Sequence, residues 1–302
     1  MYLAVTSNTS ERGTAVDASL VDDWKLSLTI ANKAPSTITG YLSTARCYVA
    51  WCGARSGLTK RDLQGFLAHR IDAGYSPAGT ANHYRCLQAW FKWMVEEEII
   101  ERSPFDKLKA PFVPEKEVPL LTRDEVSKLL NACKQGRKIT GLRDTAVIRL
   151  LLDTGLRASE LCRLTLDDVD FDLQTIRVYG KGRKFRTVVF GDKPALALRR
   201  YLRARQVDSE SLFLSQKGPM TVSTLGQALH RRGALAGVKG VHPHRFRHQF
   251  AHDWLAAGGS EGDLQRLAGW SSRAMLQRYG SSGAAARAVE AHRSMGLDQK
   301  YA

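Results

Sequence analysis

The sequence predicts a mainly α-helical protein with a small antiparallel β-sheet, an α+β fold, and three observations support that prediction. Apolar residues recur with helical spacing over long segments, beginning at Pro35 and Ser36. Thr122 and Glu125 form a capping-box pattern ahead of another apolar helical face. Two short β-runs, TIRVY and RTVVF, flank the basic turn GKGRKF and predict a hairpin.

A proline-rich stretch, SPFDKLKAPFVPEKEVP, divides the chain. Proline removes backbone donors and disfavours helix, so we expect an extended, semi-stiff linker there. The predicted organisation is a loose polar tail (1–14), a helical domain (15–106), a linker (107–119) and a mixed, mostly helical second domain (120–302).

The helices of the first domain have recognisable starts. Thr59 can cap a helix whose apolar face comprises Leu63, Phe66, Leu67 and Ile71. Ser76 and Pro77 suit the N-cap and first position of the next helix. That helix carries an aromatic stripe, which we interpret as core rather than as a base-stacking platform, formed by Tyr84, Trp90 and Phe91.

In the second domain, the capping box starts one helix and a second runs from about Gly141 to Thr154, ending at Gly155. The hairpin follows, and helices fill the remainder. We expect breaks at Gly233, Pro243, Gly258–Gly259 and Gly269.

The charge balance indicates an anionic partner. The chain has 45 Lys+Arg against 30 Asp+Glu, a formal charge of +15, which favours nucleic acid or another anionic surface, although a merely basic soluble protein is the alternative. No apolar run approaches the roughly 20 residues that span a bilayer, and the N-terminus lacks a secretory pattern. The five cysteines form no C-x-x-C pair and suit a reducing cytoplasm.

Two candidate residues lie at turns in the first half of the second domain. In DTGLRASEL, Arg157 occupies the tight connection after Gly155, where its planar fork can meet phosphate oxygens; a surface arginine is the alternative. Lys181 lies at the tip of the basic hairpin. Its ammonium is either solvated or able to donate a proton to a departing oxygen.

The stretch HPHRFRHQFAHDWL places His244 and Arg247 on one helical face, followed by His248 and His252. The last two have the i, i+4 spacing of a zinc helix, but Gln249 replaces the required Glu, so we expect no metal. The acidic stretch DDVDFDLQTIRVY also fails the calcium-loop pattern, with Leu173 and Tyr179 at positions that need Gly and Glu.

Near the C-terminus, Trp270 can pack or donate its indole N–H, and Tyr279 follows nine residues later, just before Gly-Ser-Ser-Gly. Cationic groups, an indole donor and one phenol form a set able to attack a phosphodiester and leave a phosphotyrosyl bond. Fixed guanidiniums would replace Mg²⁺, and the ester conserves energy, so we expect no metal, cofactor or ATP.

These motifs resemble the tyrosine recombinase (phage integrase) family, in the order Arg157, Lys181, His244–x–x–Arg247, Trp270, Tyr279. The resemblance runs from about residue 17 and includes a core-binding domain followed by a catalytic domain. It implies that both arginines hold the scissile phosphate, Lys181 protonates the 5′-hydroxyl and His244 assists proton transfer. Many members have His where this chain has Trp270, and His248 would buttress the site.

The resemblance further implies a site-specific recombinase that works through a 3′-phosphotyrosyl intermediate and a Holliday junction. It implies a C-shaped clamp on double-stranded DNA and a homotetramer on two short recombination sites, with a monomer or weak dimer when free. The segment after Tyr279 would dock on a neighbouring protomer. Three alternatives remain open: a type IB topoisomerase, a catalytically silent DNA-binding regulator and a metal-dependent nuclease.

Overall fold

The computed structural model describes residues 15–114, 118–180, 185–270, 276 and 284–295, except for the side chains of 285–287 and 290. The chain divides into two compact units, Met1–Lys116 and Glu117–Ala302. The described residues are mainly α-helical with small antiparallel sheets, which confirms the predicted fold class. The predicted tail, 1–14, lies outside them.

The first unit is helical in its described part. Its helices are α1 (Ala18–Ile30), α2 (Pro35–Cys52), α3 (Lys60–Asp72) and α4 (Pro77–Glu96). Thr59 and Ser76 cap α3 and α4 as predicted, accepting from backbone N–H groups at 3.1 and 3.2 Å. The aromatic stripe of α4 is buried, as predicted, but Ile71 is 59% exposed. The apolar contact of α3 therefore ends one turn earlier than its sequence pattern predicts.

The proline-rich stretch does not begin as an extended linker. Pro104–Lys107 forms a 3₁₀ turn that buries Phe105 in the core of the first unit. The Phe105 ring meets Tyr84 edge-on at a centroid distance of 5.0 Å, and the Tyr84 hydroxyl donates to the carbonyl of Leu108 at 2.7 Å. Only one buried ring, that of Phe105, holds this turn in place, so the hydrophobic periodicity of the sequence could not reveal it.

The second unit combines helices with short strands. Its helices are α5 (Arg123–Ala132), α6 (Lys138–Thr154), α7 (Ala158–Arg163), α8 (Asp192–Ala204), α9 (Val222–Ala236), α10 (Pro243–Ala256), α11 (Glu261–Ala268) and α12 (Ala284–Met295). Its strands are β1 (Val169–Asp170), β2 (Thr175–Tyr179), β3 (Phe185–Val189), β4 (Leu214–Ser215) and β5 (Gly218–Pro219). The capping box of Thr122 and Glu125 is formed as predicted. Helix α6 supplies much of the core, through Ile148, Leu150 and Leu151.

The predicted hairpin is the β2–β3 pair, in which Tyr179 lies opposite Phe185 and Ile176 opposite Val188. Strand β3 begins one residue before the predicted run and ends before Phe190. Strand β1 pairs with the other edge of β2 to complete a three-stranded sheet. Ile176, Val178 and Val188 face the core, so burial on one face fixes the register.

Two glycines predicted as helix boundaries lie inside helices. Helix α6 begins at Lys138, so Gly141 lies within it. Glycine is needed at this position because the carbonyl of Cys133 occupies the space that a Cβ would need. Helix α9 continues through Gly233 to Ala236, and a Cβ at Gly233 would lie 2.8 Å from the Val238 carbonyl oxygen. Close packing rather than backbone conformation explains both residues. None of the helices in the described ranges is both long and apolar enough to cross a bilayer.

We expect Gly233→Ala to destabilise the protein by about 1–3 kcal/mol, because the added methyl group overpacks against Val238 and Val241. Gly226→Ala, in the same helix with nothing within 4 Å of its Cβ position, is the matched control. It should stabilise by about 0.5–1 kcal/mol. Urea unfolding measures both, and equal stabilities of the two variants would contradict this account of Gly233.

Candidate active site

Arg157 lies where the sequence places it, in the turn between α6 and α7. Gly155 caps α6 in the left-handed conformation (φ +59°), and the ring of Phe250 packs where its Cβ would be. Arg157 is then the N-cap of α7, with its side chain 36% exposed. The backbone of Arg157 is therefore held in a tight turn, while its side chain remains partly accessible to solvent.

Arg247 is presented by α10, which begins at Pro243 and is capped by His242. The residue is only 2% exposed. Its Nη1 donates to the carbonyl of Gly155 and its Nη2 to the carbonyl of Ala268, both at 2.6 Å. Because Gly155 lies two residues before Arg157, these bonds bring the two predicted phosphate-binding arginines together.

His244 and Trp270 lie beside Arg247. His244 is exposed on the first turn of α10, and its ring meets that of buried His248 edge-on at a centroid distance of 5.0 Å. The Arg247 guanidinium carbon lies 5.3 Å from the centroid of the Trp270 ring, and Trp270 is 5% exposed. The structure thus brings together the predicted site residues that it describes: Arg157, His244, Arg247 and Trp270, with His248 behind His244.

The carbonyl end of α11 organises these side chains. Gly269 ends the helix in the left-handed conformation, and its N–H and that of Trp270 bond back to Arg266 and Gln265. The next three carbonyls accept from guanidiniums, at 2.7 Å for Arg186 to Leu267, 2.6 Å for Arg247 to Ala268 and 2.8 Å for Arg157 to Gly269. Side chains from three other elements therefore satisfy the helix end that precedes Trp270.

Glu160 is a site residue that the sequence analysis missed. It is 6% exposed, and its carboxylate accepts from the backbone N–H and Nη1 of Arg157, each at 2.8 Å. Burial disfavours its charge, but hydrogen bonds from Arg186 and Arg157 outweigh that cost and lower the pKa of Glu160 to about 2. Its i, i+3 spacing from Arg157 in TGLRASEL was the available signal.

Arg186, on β3, was also missed, because only strand pairing and tertiary contacts bring it to Glu160.

Two predicted residues, Lys181 and Tyr279, lie outside the described residues. The described hairpin strands end at Tyr179 and Phe185, on either side of Lys181, and Leu276 packs in a cluster with Phe250 and Trp270. Among the described side chains, no group of three or more His, Cys, Asp or Glu is placed to hold a metal ion. The site instead collects guanidiniums that can bind a phosphate.

The charge state of Glu160 makes stability depend on pH. Because its pKa falls from an ordinary 4.5 to about 2, its ionised form contributes stability that is complete above pH 4.5 and is lost as the pH falls towards 2. We expect Glu160→Gln to cost up to about 3 kcal/mol near neutral pH, with a smaller deficit in acid. Urea unfolding of both proteins from about pH 7 to pH 3 measures this, and a deficit independent of pH would contradict it.

Comparisons with known proteins identify the family of this chain. The sequence pattern of the phage integrase family matches residues 119–285, and that of its N-terminal SAM-like domain matches residues 20–101. The chain is 35% identical over 265 residues to the tyrosine recombinase XerA of Thermococcus kodakarensis, covering 86% of this chain and 89% of the relative. It is 34% identical over 221 residues to the tyrosine recombinase XerD of Pseudomonas putida, covering 70% and 74%.

The same fold occurs in solved structures. An integrase of the transposon Tn1549, in complex with a circular intermediate DNA, superposes with a TM-score of 0.71 at 23% identity over 86% of this chain and 94% of the other. A lambda integrase dimer bound to a COC′ core site gives a TM-score of 0.71 at 19% identity over 89% and 78%. These TM-scores establish the shared fold. The match of the family pattern and the XerA relationship establish that this chain belongs to the phage integrase family.

Proposed function

We propose that Tyr279 is the nucleophile with which this chain, a site-specific DNA recombinase, cleaves and rejoins DNA strands. The phenolate oxygen attacks the scissile phosphorus, the bond from phosphorus to the 5′ oxygen breaks, and a 3′-phosphotyrosyl bond forms. The phenol proton passes to His244, and the departing 5′ oxygen takes a proton from Lys181. A 5′-hydroxyl from the partner strand reverses the step, which leads through a Holliday junction.

The convergence of Arg157 and Arg247 on the carbonyl end of α11 is the observation that carries this proposal. Arg247 is buried and Arg157 is partly exposed, so one cation is fixed inside the site and the other faces its opening. Both favour the negative charge that grows on the non-bridging oxygens in the transition state. Removing one such donor typically costs about 10²–10³ in rate.

The remaining roles rest on chain connectivity and on neighbouring contacts. Lys181 lies between β2 and β3 in the sequence, and Arg186 on β3 contacts Glu160 beside Arg157. Leu276, three residues before Tyr279, packs with Trp270. Both contacts favour delivery of the two reactive groups to the arginine pair. Trp270 supports Arg247 through its ring face, and His248 supports His244.

The proposed chemistry needs no metal ion and no ATP. The guanidiniums supply the charge that Mg²⁺ supplies in other phosphoryl-transfer sites, and the phosphotyrosyl ester conserves the energy for resealing.

The proposed substrate is double-stranded DNA that carries two short recombination sites, bound by four protomers. The formal charge of +15 favours contacts with many phosphates, so binding should weaken steeply with salt. We propose that both units contact the duplex, the first as a core-binding domain and the second as the catalytic domain, in the cytoplasm. The curated relatives are named tyrosine recombinases, which does not favour the topoisomerase or silent-regulator alternatives.

We expect a nicked suicide substrate, made from the cognate site found beside the gene, to trap the wild-type protein as a covalent DNA adduct. Tyr279→Phe should form no adduct, because the ring remains but the attacking oxygen is gone. Tyr41→Phe is the matched control, since Tyr41 stacks on Trp24 in the first unit at 5.2 Å. Denaturing gels detect the adduct, and equal trapping by the Tyr279→Phe variant would place the nucleophile elsewhere.

Adduct formation by the wild type should be the same with and without excess EDTA, because no step uses a bound ion. A Mg²⁺-dependent nuclease in the same buffer confirms that the chelator works. Loss of the adduct in EDTA and its recovery with added Mg²⁺ would instead indicate metal-dependent cleavage.

A further inference from the structure

Arg186 makes three well-formed contacts that the proposed chemistry does not use. Its Nη1 and Nη2 each donate to one oxygen of the Glu160 carboxylate at 2.9 Å. Its Nε donates to the carbonyl of Leu267 at 2.7 Å. The side chain is 15% exposed, so this planar fork is held in a nearly closed environment.

Glu160 is shared between two guanidiniums. Oε1 accepts from Nη1 of Arg157 at 2.8 Å as well as from Arg186, and Oε2 also accepts from the backbone N–H of Arg157. The other terminal nitrogen of Arg157, Nη2, donates to the Gly269 carbonyl at 2.8 Å. Two arginines from different elements therefore hold the same carboxylate.

Arg186 also lies against the backbone at the end of α11. A Cβ built on Gly269 would lie 3.0 Å from its Nη1, and Gly269 has φ +64°. The guanidinium thus joins three parts of the site: the strand after Lys181, the helix that begins at Arg157 and the helix end before Trp270.

We infer that Arg186 is a positioning residue for DNA cleavage, which holds Glu160 and, through it, Arg157 in the geometry that receives the scissile phosphate. This inference rests on the proposed function. The assigned role of Arg186 is to hold these groups rather than to bind phosphate, because three of its five N–H groups donate to Glu160 and Leu267 and its side chain is only 15% exposed. Without Arg186, only Arg157 would offset the Glu160 charge, so the Nη2 of Arg157 would leave the Gly269 carbonyl for the carboxylate and the guanidinium would turn from its phosphate-binding orientation.

The first test compares Arg186→Gln with Arg177→Gln. Arg177 lies on β2 of the same hairpin, is 51% exposed and pairs with Asp168 at 3.6 Å, so its variant removes one positive charge without touching Glu160. We expect Arg186→Gln to slow single-turnover cleavage of saturating suicide substrate by about 10²-fold, since small displacements of a positioning group have that cost. Its dissociation constant for DNA should match that of Arg177→Gln.

The second test asks whether Arg186 acts through Glu160. Glu160→Gln removes the charge that Arg186 neutralises, so the double variant Glu160→Gln/Arg186→Gln should be no slower than Arg186→Gln alone. A merely structural role for Arg186 would give losses of cleavage rate that multiply.

Arg186→Lys keeps the charge but lacks the bidentate fork, and we expect about a tenfold loss of cleavage rate. This variant replaces Arg186→Gln if thermal unfolding shows that Arg186→Gln does not fold.

Three results would overturn the inference: wild-type cleavage rates in Arg186→Gln and Arg186→Lys, a rate deficit that disappears at saturating DNA, or multiplying losses in the double variant. Failure of the proposed function is separately visible. In that case the wild type itself would form no adduct that depends on Tyr279, whereas failure of the inference leaves that adduct intact.

Discussion

The carbonyl end of α11 is the constraint on which the site depends. A helix leaves its last carbonyls without intrahelical partners, and its C-terminus carries partial negative charge. Here Leu267, Ala268 and Gly269 take their donors from β3, α10 and the start of α7. The same bonds keep three cationic side chains together despite their mutual repulsion. A requirement of helix termination thus becomes the means of bringing three guanidiniums together at the proposed phosphate site.

Other buried arginines in the second unit serve the scaffold instead. Arg143 and Arg232 both pair with Asp144 at 2.7 Å, and the Arg232 pair ties α9 to α6. Arg245 donates to the carbonyls of Pro119 and Leu120 and so fixes α10 to the segment before α5. The site differs in its ratio of charges, because Arg157 and Arg186 share the carboxylate of Glu160 while Arg247 donates to the same helix end. This excess of positive charge suits the proposed binding of a phosphate.

Local sequence signals predicted the elements and several residues of the site. Gly155 and Pro243 mark the helix boundaries that position Arg157 and Arg247, and both boundaries are where the sequence places them. Glycines that serve packing were misassigned as helix boundaries. The residues next to Gly233 in the sequence give no sign that Val238 and Val241 pack against it. The partnership of Arg186 with Glu160 spans 26 residues and depends on strand pairing, which local patterns do not encode.

The bond from Arg157 to Gly269 joins residues 112 positions apart. Because a ribosome releases the chain from its N-terminus, α7 and the hairpin emerge well before the helix end that orients their guanidiniums. A nascent or prematurely terminated polypeptide that stops before α11 lacks these acceptors, and it also lacks Tyr279. With Tyr279 in its proposed role, an unfinished molecule cannot cleave DNA, and the site is assembled only as synthesis nears completion.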